Sequence, residues 1–442
     1  MDEQALEIRN RITLRLVAPL MFLTFLNSLD RVNTSFAALQ MNSDLGLSPE
    51  MYGSGAGVFF FGYLAFQFPH TSLLRRIGAR RWIFGAALFW GSVATCMAFI
   101  QSARHFFALR FLLGVAESGF APGIIYYMSQ WMPQRFRAWA IAGSMLAIPI
   151  SVVLGGPLSG WLMTLAGPLG MRGWRLMFVV EALPTIVAGF VALWYFVDSP
   201  SQAKWLTAEQ KAWLLAELEN DRKQDPPADS LSFWQLLSSG RLWAVAGVWF
   251  TLMAGAYGII FWLPLVIKQV SGRGDFEVGV LSALPWLGLG AGMLVNAWHS
   301  DRTQERYLHI GIPALLAAVG LALACSVSQG WLALVCLIIG GFGLGGAQGA
   351  FWALPTSFLT GGAAAAGITL INLLGSSGGL VAPPWIGWIR VRTGSFAAPV
   401  YALAGLLLVG ALLLIVVRRS VGSPALAPDA GIGLGKPEHV ET

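Results

Sequence analysis

An all-α membrane protein of twelve transmembrane helices in two six-helix pseudo-repeats is predicted by three observations. The first is composition. Of 442 residues, 56% are hydrophobic and only 11% are charged, where soluble domains carry roughly 25% charged residues. The second is a mean hydropathy of +0.65, which over this length requires many spans rather than one anchor. The third is an internal repeat. Shifting SLLRRIGARR (72–81) by 226 residues onto WHSDRTQER (298–306) places Arg76 on Arg302 and Arg80 on Arg306. The same shift carries the start of the first span onto the seventh, and Gly114 onto Gly340.

A window of about 19–20 residues locates the spans. They fall at 15–36, 51–70, 82–101, 105–128, 138–165 and 175–197 in the first half. The second half has 242–267, 277–298, 307–327, 331–356, 364–388 and 396–417. MDEQALEIRNRITLR runs straight into the first span with no small-residue cleavage site, so it reads as an anchor that stays. The organisation is therefore an N-terminal bundle (1–197), a linker (198–241), a C-terminal bundle (242–417) and a tail (418–442) expected to be disordered. Within the linker, Thr207 and Gln210 of TAEQKAWLLAELEND form a capping box. Trp213, Leu214 and Leu218 follow at helical spacing, predicting a short amphipathic helix before Asp225-Pro226-Pro227.

An even number of spans puts both termini on one side. One set of connections holds Arg9, Arg11, Arg15, Arg75, Arg76, Arg80, Arg81, Arg135, Arg137, Lys204, Lys211, Arg222, Lys223, Arg241, Arg302, Arg306, Arg418, Arg419 and Lys436. The other holds only Arg104, Arg172, Arg175, Lys268, Arg273, Arg390 and Arg392. Nineteen against seven makes the termini cytoplasmic in a multi-pass protein. The net charge of +6 is then topology in a lipid bilayer, and nucleic acid is excluded as a partner. Cys96, Cys325 and Cys336 lie in apolar segments without metal-ligand spacing. No metal, cofactor or disulfide framework is implied, and a monomer is expected.

Charges inside the spans carry the chemistry, because each costs at least ~2.5–3.5 kcal/mol to insert. In span one, Asn27, Asp30, Arg31 and Thr34 sit at i, i+3, i+4 and i+7, a polar stripe on an apolar helix. In span four, Arg110, Gly114 and Glu117 share a face. Asp30 and Arg31, being adjacent, cannot pair with each other and need partners on other helices. The economical solution is a buried four-charge cluster between spans one and four. Protonating a carboxylate leaves surplus positive charge for a substrate carboxylate to neutralise, so proton and anion binding are linked. The bland alternative is a permanent ion-pair lock between the two helices. Glu181, near the start of span six with no partner on its helix face, is expected to be structural.

The two basic loops resemble the signature of the major facilitator superfamily, with Arg75 where the first copy has Asp and Gln304 where the second has Gly. LDRVNTSFAALQMNSDLGLS, GARRWI, LRFLLGVAESGFAPG, YGIIFWLP and HSDRTQER together resemble its anion:cation symporters, the permeases for tartrate, sugar acids, 4-hydroxyphenylacetate and phthalate. The resemblance implies alternating access and proton symport of an organic acid anion, imported across the inner (cytoplasmic) membrane. It implies proton-coupling roles for Asp30 and Glu117, and anion-binding roles for Arg31 and Arg110. Tyr63, Trp352 and Asn372 match pocket positions, and gating is expected through Asp301 and Arg302.

Under the 226-residue shift, Asp30, Arg31, Arg110 and Glu117 fall on Ala256, Tyr257, Cys336 and Gly343. The second half must then contribute shape and neutral hydrogen bonds, with Tyr257, Gln348, Trp352 and Asn372 as candidates; Trp352 has packing as its alternative. GGFGLGGAQG (340–349) lacks the lysine of a phosphate loop. No H-E-x-x-H appears, and GSSGG (375–379), which has the G-x-S-x-G spacing, lies inside an apolar span rather than on a strand-to-helix turn, so an enzyme is not expected. GGPLSG (155–160) partly resembles a drug–proton antiporter motif and keeps an exporter of organic acids or drugs as the alternative.

Overall fold

The computed structural model describes residues 3–165, 170–224, 238–356, 359 and 361–421. Asp225-Pro226-Pro227, Lys436 and the tail beyond 421 lie outside the described residues. Among the described residues, twelve helices of spanning length follow one another. The first six are α1 Gln4–Leu45, α2 Pro49–Ile77, α3 Ala79–Phe99, α4 Ala103–Ser129, α5 Gln134–Thr164 and α6 Gly173–Tyr195. The second six are α7 Gly240–Ser271, α8 Asp275–Thr303, α9 Tyr307–Ser326, α10 Gly330–Thr356, α11 Ala366–Thr393 and α12 Ala397–Arg419. Eleven of these are long and apolar enough to cross a membrane. The exception, α2, has 29 residues, but its glycines, tyrosines, Gln67 and His70 lower its hydropathy.

Local chemistry sets the helix ends. Ser48, Ser102 and Ser239 accept hydrogen bonds from the backbone N–H of Met51, His105 and Leu242, starting α2, α4 and α7. The linker helix Ala208–Gln224 opens with the expected reciprocal box, Thr207 and Gln210 each bonding the other's backbone N–H at 3.2 Å. Helix α1 begins earlier than predicted because its first turns have a tertiary partner. Ala5, Ile8 and Ile12 are buried, Arg11 donates to the Trp205 carbonyl, and Gln210 donates to Glu7.

The repeat is visible in the backbone. Gly46 and Gly272, 226 residues apart, end α1 and α7 at φ +62° and +63°. Gly78 and Gln304, again 226 apart, end α2 and α8 at φ +83° and +55°. Side-by-side packing repeats as well. Gly62 abuts the Phe111 carbonyl and Gly114 that of Phe59; in the second half Gly288 abuts the Ile338 carbonyl and Gly341 that of Pro285. A Cβ at any of these glycines would strike backbone, so small residues are what let α2 approach α4, and α8 approach α10.

The Gly78–Gln304 pair yields a stability prediction. Gln304 has ψ 17°, an ordinary left-handed conformation, whereas Gly78 has ψ 160° with the Asp198 carboxylate where its Cβ would lie. That second region is essentially glycine-only, at a cost of ~1–3 kcal/mol. Gly78→Ala should therefore lower stability by about that amount, and Gln304→Gly should raise it by ~1 kcal/mol. Melting curves in detergent check both. Equal effects would remove the distinction.

The halves close on each other at the end of the bundle remote from the termini. The Tyr52 hydroxyl donates to the Phe261 carbonyl at 2.8 Å, and Gln40 Nε2 donates to Asp275 at 2.7 Å. Gly53 and Gly57 of α2 lie against the backbone of α11 at Pro383 and Leu380, and Gly156 of α5 lies against Gly279 of α8. Within GGPLSG, Gly156 and Gly160 pack against α8 while Gly155 meets Leu29 of α1.

Candidate functional site

Successive residues on an α-helix point roughly 100° apart, and that angle sends Asp30 and Arg31 into different environments. Arg31 reaches across to α4. Its Nη2 and Nε donate to Glu117 Oε2 at 2.9 Å and 3.2 Å, and its guanidinium lies 5.3 Å and 5.2 Å from the ring centres of Phe59 and Tyr63. Tyr257, from the second half, adjoins the same guanidinium. The Arg31 side chain is 20% exposed while that of Glu117 is sealed. Glu117 Oε1 is buried without a hydrogen-bond partner.

Arg110 is fully buried. Its Nη1 donates to Thr34 Oγ1 at 3.2 Å and its Nε to the Gly55 carbonyl at 3.4 Å. Its plane sits 4.7 Å from Phe59 and 5.4 Å from Phe261, one ring from each half. Its Nη2 has no hydrogen-bond partner, and no carboxylate forms an ion pair with it among the described residues. A buried guanidinium with an open donor, sharing the one carboxylate of Glu117 with Arg31, is an under-compensated cation, costly unless something anionic completes it.

The expected four-charge cluster is thus a three-charge one. Asp30 faces away from both arginines. Its Oδ2 accepts from Trp90 Nε1 at 2.8 Å and Thr185 Oγ1 at 3.2 Å, and its Oδ1 from Asn33 at 3.4 Å. Trp90 and Thr185 belong to α3 and α6, so the economical pairing inferred from two helices fails because two others supply neutral donors. Glu181 has a partner, although none lies on its own helix face. It is 2% exposed, inside the bundle, and accepts from Ser159 at 2.7 Å.

Of the second-half candidates, Tyr257 joins the cluster. Gln348 is partly buried on α10, its Nε2 lacking a partner. Trp352 packs on Trp249 and Phe351, with ring centres 5.0 Å and 5.3 Å apart, and Asn372 is partly buried on α11. No hydrogen bond joins these three to the charges among the described residues. Phe59, Phe261 and Trp90 went unnoticed in the sequence, since a lone aromatic in an apolar span carries no signal of its own.

At the α8–α9 connection, Arg306 rather than Arg302 is the partner of Asp301, at 2.7 Å, and it also bonds Ser300 at 2.8 Å. Arg302 lies over Trp298 at 4.1 Å. The left-handed turn at Gln304 reverses the chain and brings residue 306 back to 301. In the first half the corresponding Arg80 donates through its side chain to the Leu193 carbonyl, and its backbone N–H bonds Asp198 at 2.9 Å. Arg306→Ala should impair transport several-fold more than Arg302→Ala, as initial uptake rates would show; the reverse order would return the role to Arg302.

The sequence profile described as the Major Facilitator Superfamily matches residues 20–383. The chain is 44% identical to an Agrobacterium vitis protein named "Putative tartrate transporter", with 98% of each chain covered. It is 36% identical to the quinolone resistance transporter of Acinetobacter baumannii, over 93% of this chain and 95% of that one. A solved bacterial homologue of the human lysosomal transporter Spinster, in an inward-facing and occupied conformation, has a TM-score of 0.77. It is 16% identical and the match covers 93% of this chain and 98% of that one, a likeness of fold. Twelve helices, a repeat carried into the backbone turns, and these matches across most of the chain lead to one assignment: the protein belongs to the Major Facilitator Superfamily and is a membrane transporter, not an enzyme.

Proposed function

We propose that the protein imports an organic acid anion across the cytoplasmic membrane by proton symport, with both termini cytoplasmic. The observation that carries this reading is Arg110, buried, flanked by rings from both halves, and holding an open Nη2. Two guanidiniums face one carboxylate, so the unloaded site has one surplus positive charge. A substrate carboxylate completes it. Tartrate, named for a relative at 44% identity, is the first acid to test.

Glu117 supplies the coupling. Ionised, it occupies Arg31; protonated, it releases Arg31 to the substrate. A proton entering with the anion keeps the total charge of the site unchanged, and deprotonation toward the cytoplasm restores the Arg31–Glu117 pair and displaces the anion. Proton and substrate each raise the affinity for the other. Tyr63 and Tyr257 offer hydroxyls beside Arg31, and Gln348, Trp352 and Asn372 line the second-half side of the path.

The relative named for quinolone resistance supports a second reading, a proton-coupled exporter. Proteoliposomes separate the two. Import predicts saturable accumulation of tartrate or another organic acid driven by an acidic exterior and collapsed by a protonophore. Uptake of quinolones in exchange for protons, with no response to acids, would establish the exporter.

A further inference from the structure

We infer that Glu181 is a second proton-carrying residue of the transport cycle, sharing one proton with Asp30 beside Asn33. Both carboxyls are sealed, Asp30 at 0% and Glu181 at 2% exposure. They stand on α1 and α6, near enough to interact electrostatically. Among the described residues neither forms an ion pair. Helices α3, α5 and α6 bring Trp90, Ser159 and Thr185 to the two carboxyls, all neutral. The one other ionisable group that acts on the pair is Glu117 of α4, through Asp30. Two bare carboxylates in such a place would each cost several kcal/mol of desolvation, so the pair needs a proton.

The hydrogen bonds say where it rests. Asp30 accepts three, from Trp90, Thr185 and Asn33, the pattern of an ionised carboxylate. Glu181 accepts one close hydrogen bond through Oε1, from Ser159, and its buried Oε2 has nothing closer than the looser approach of Asn33, room for the O–H of a carboxylic acid. Asn33 donates to Asp30 and adjoins Glu181. With Glu181 protonated, the pair carries a single negative charge, on Asp30, held by neutral donors apart from the surplus positive charge around Arg31 and Arg110. Asp30, adjoining Glu181 on one side and Glu117 on the other, can then take the proton from Glu181 and offer it toward Glu117. The transfer moves a proton alone and needs no co-reactant.

Its part in transport rests on the proton-symport reading; the shared proton does not, and the test treats them apart. Infrared difference spectra of the purified chain in lipid, in H2O and D2O, detect the carbonyl stretch of a buried carboxylic acid without any substrate. The wild type should show such a band at neutral pH. Glu181→Gln should remove it, and Asp30→Asn should shift it. Ser159→Ala, which deletes only the hydroxyl bonded to Oε1, should also shift it and covers the case in which Glu181→Gln does not fold. A band indifferent to all three substitutions, or no band in the wild type, overturns the inference. Dye-reported proton entry on adding tartrate then tests the transport role. The wild type should take up protons, while Glu181→Gln should bind tartrate normally and take up protons several-fold more slowly. Unchanged proton entry in that variant overturns the role, whereas tartrate binding without proton entry in the wild type overturns symport itself.

Discussion

Arg110→Ala should abolish binding of the carboxylate substrate, and Arg110→Lys should weaken it by ~10-fold or more. Tenfold corresponds to ~1.4 kcal/mol, the lower edge of what one hydrogen bond to a charged group contributes. The lysine variant keeps the charge but loses the planar fork. That fork now serves Thr34 and Gly55 with two of its nitrogens and leaves Nη2 free. It also loses the stacking between Phe59 and Phe261, contacts that join the two halves around the cation. Calorimetric titration measures the loss, with melting temperature as the control for folding. Wild-type affinity in the alanine variant would remove Arg110 from the site. Wild-type affinity in the lysine variant would reduce it to a point charge.

Glu117→Gln should separate exchange from accumulation. Glutamine has the shape of a protonated glutamate, so Arg31 stays permanently available to the anion and counterflow should continue. Net uptake driven by an imposed pH difference should vanish, since no proton is gained or lost at that position. In the wild type the ionised carboxylate competes with the substrate for Arg31, so affinity falls as pH rises; in the variant this dependence should flatten. Breaking a buried pair by removing one partner costs ~3–5 kcal/mol, so the unloaded variant should melt at lower temperature. Saturating substrate, at about 100 times its Kd, should return ~2.7 kcal/mol. Accumulation against a gradient driven by pH alone in this variant would place coupling elsewhere.

What the sequence determined by itself follows from one-dimensional regularities. Hydropathy over about 20 residues reports a span because the bilayer has a fixed thickness. The 226-residue offset reports the repeat because both copies must make the same turn, and Gly46, Gly272, Gly78 and Gln304 make it at positive φ. Helical spacing directed the span-one stripe at span four, where Arg31 meets Glu117, and a capping box lies within four residues and needs no tertiary knowledge. What only the tertiary structure decided is the partner of each charge. Asp30 and Arg31 are neighbours in the chain, yet α3 and α6 claim one and α4 the other, because a buried carboxylate takes whichever donors the surrounding helices present. Glu181 became a buried neighbour of Asp30, and Arg306 displaced Arg302 beside Asp301, for the same reason. Periodicity fixes the direction in which a side chain leaves its own helix; which group it meets depends on the packing of helices distant in sequence.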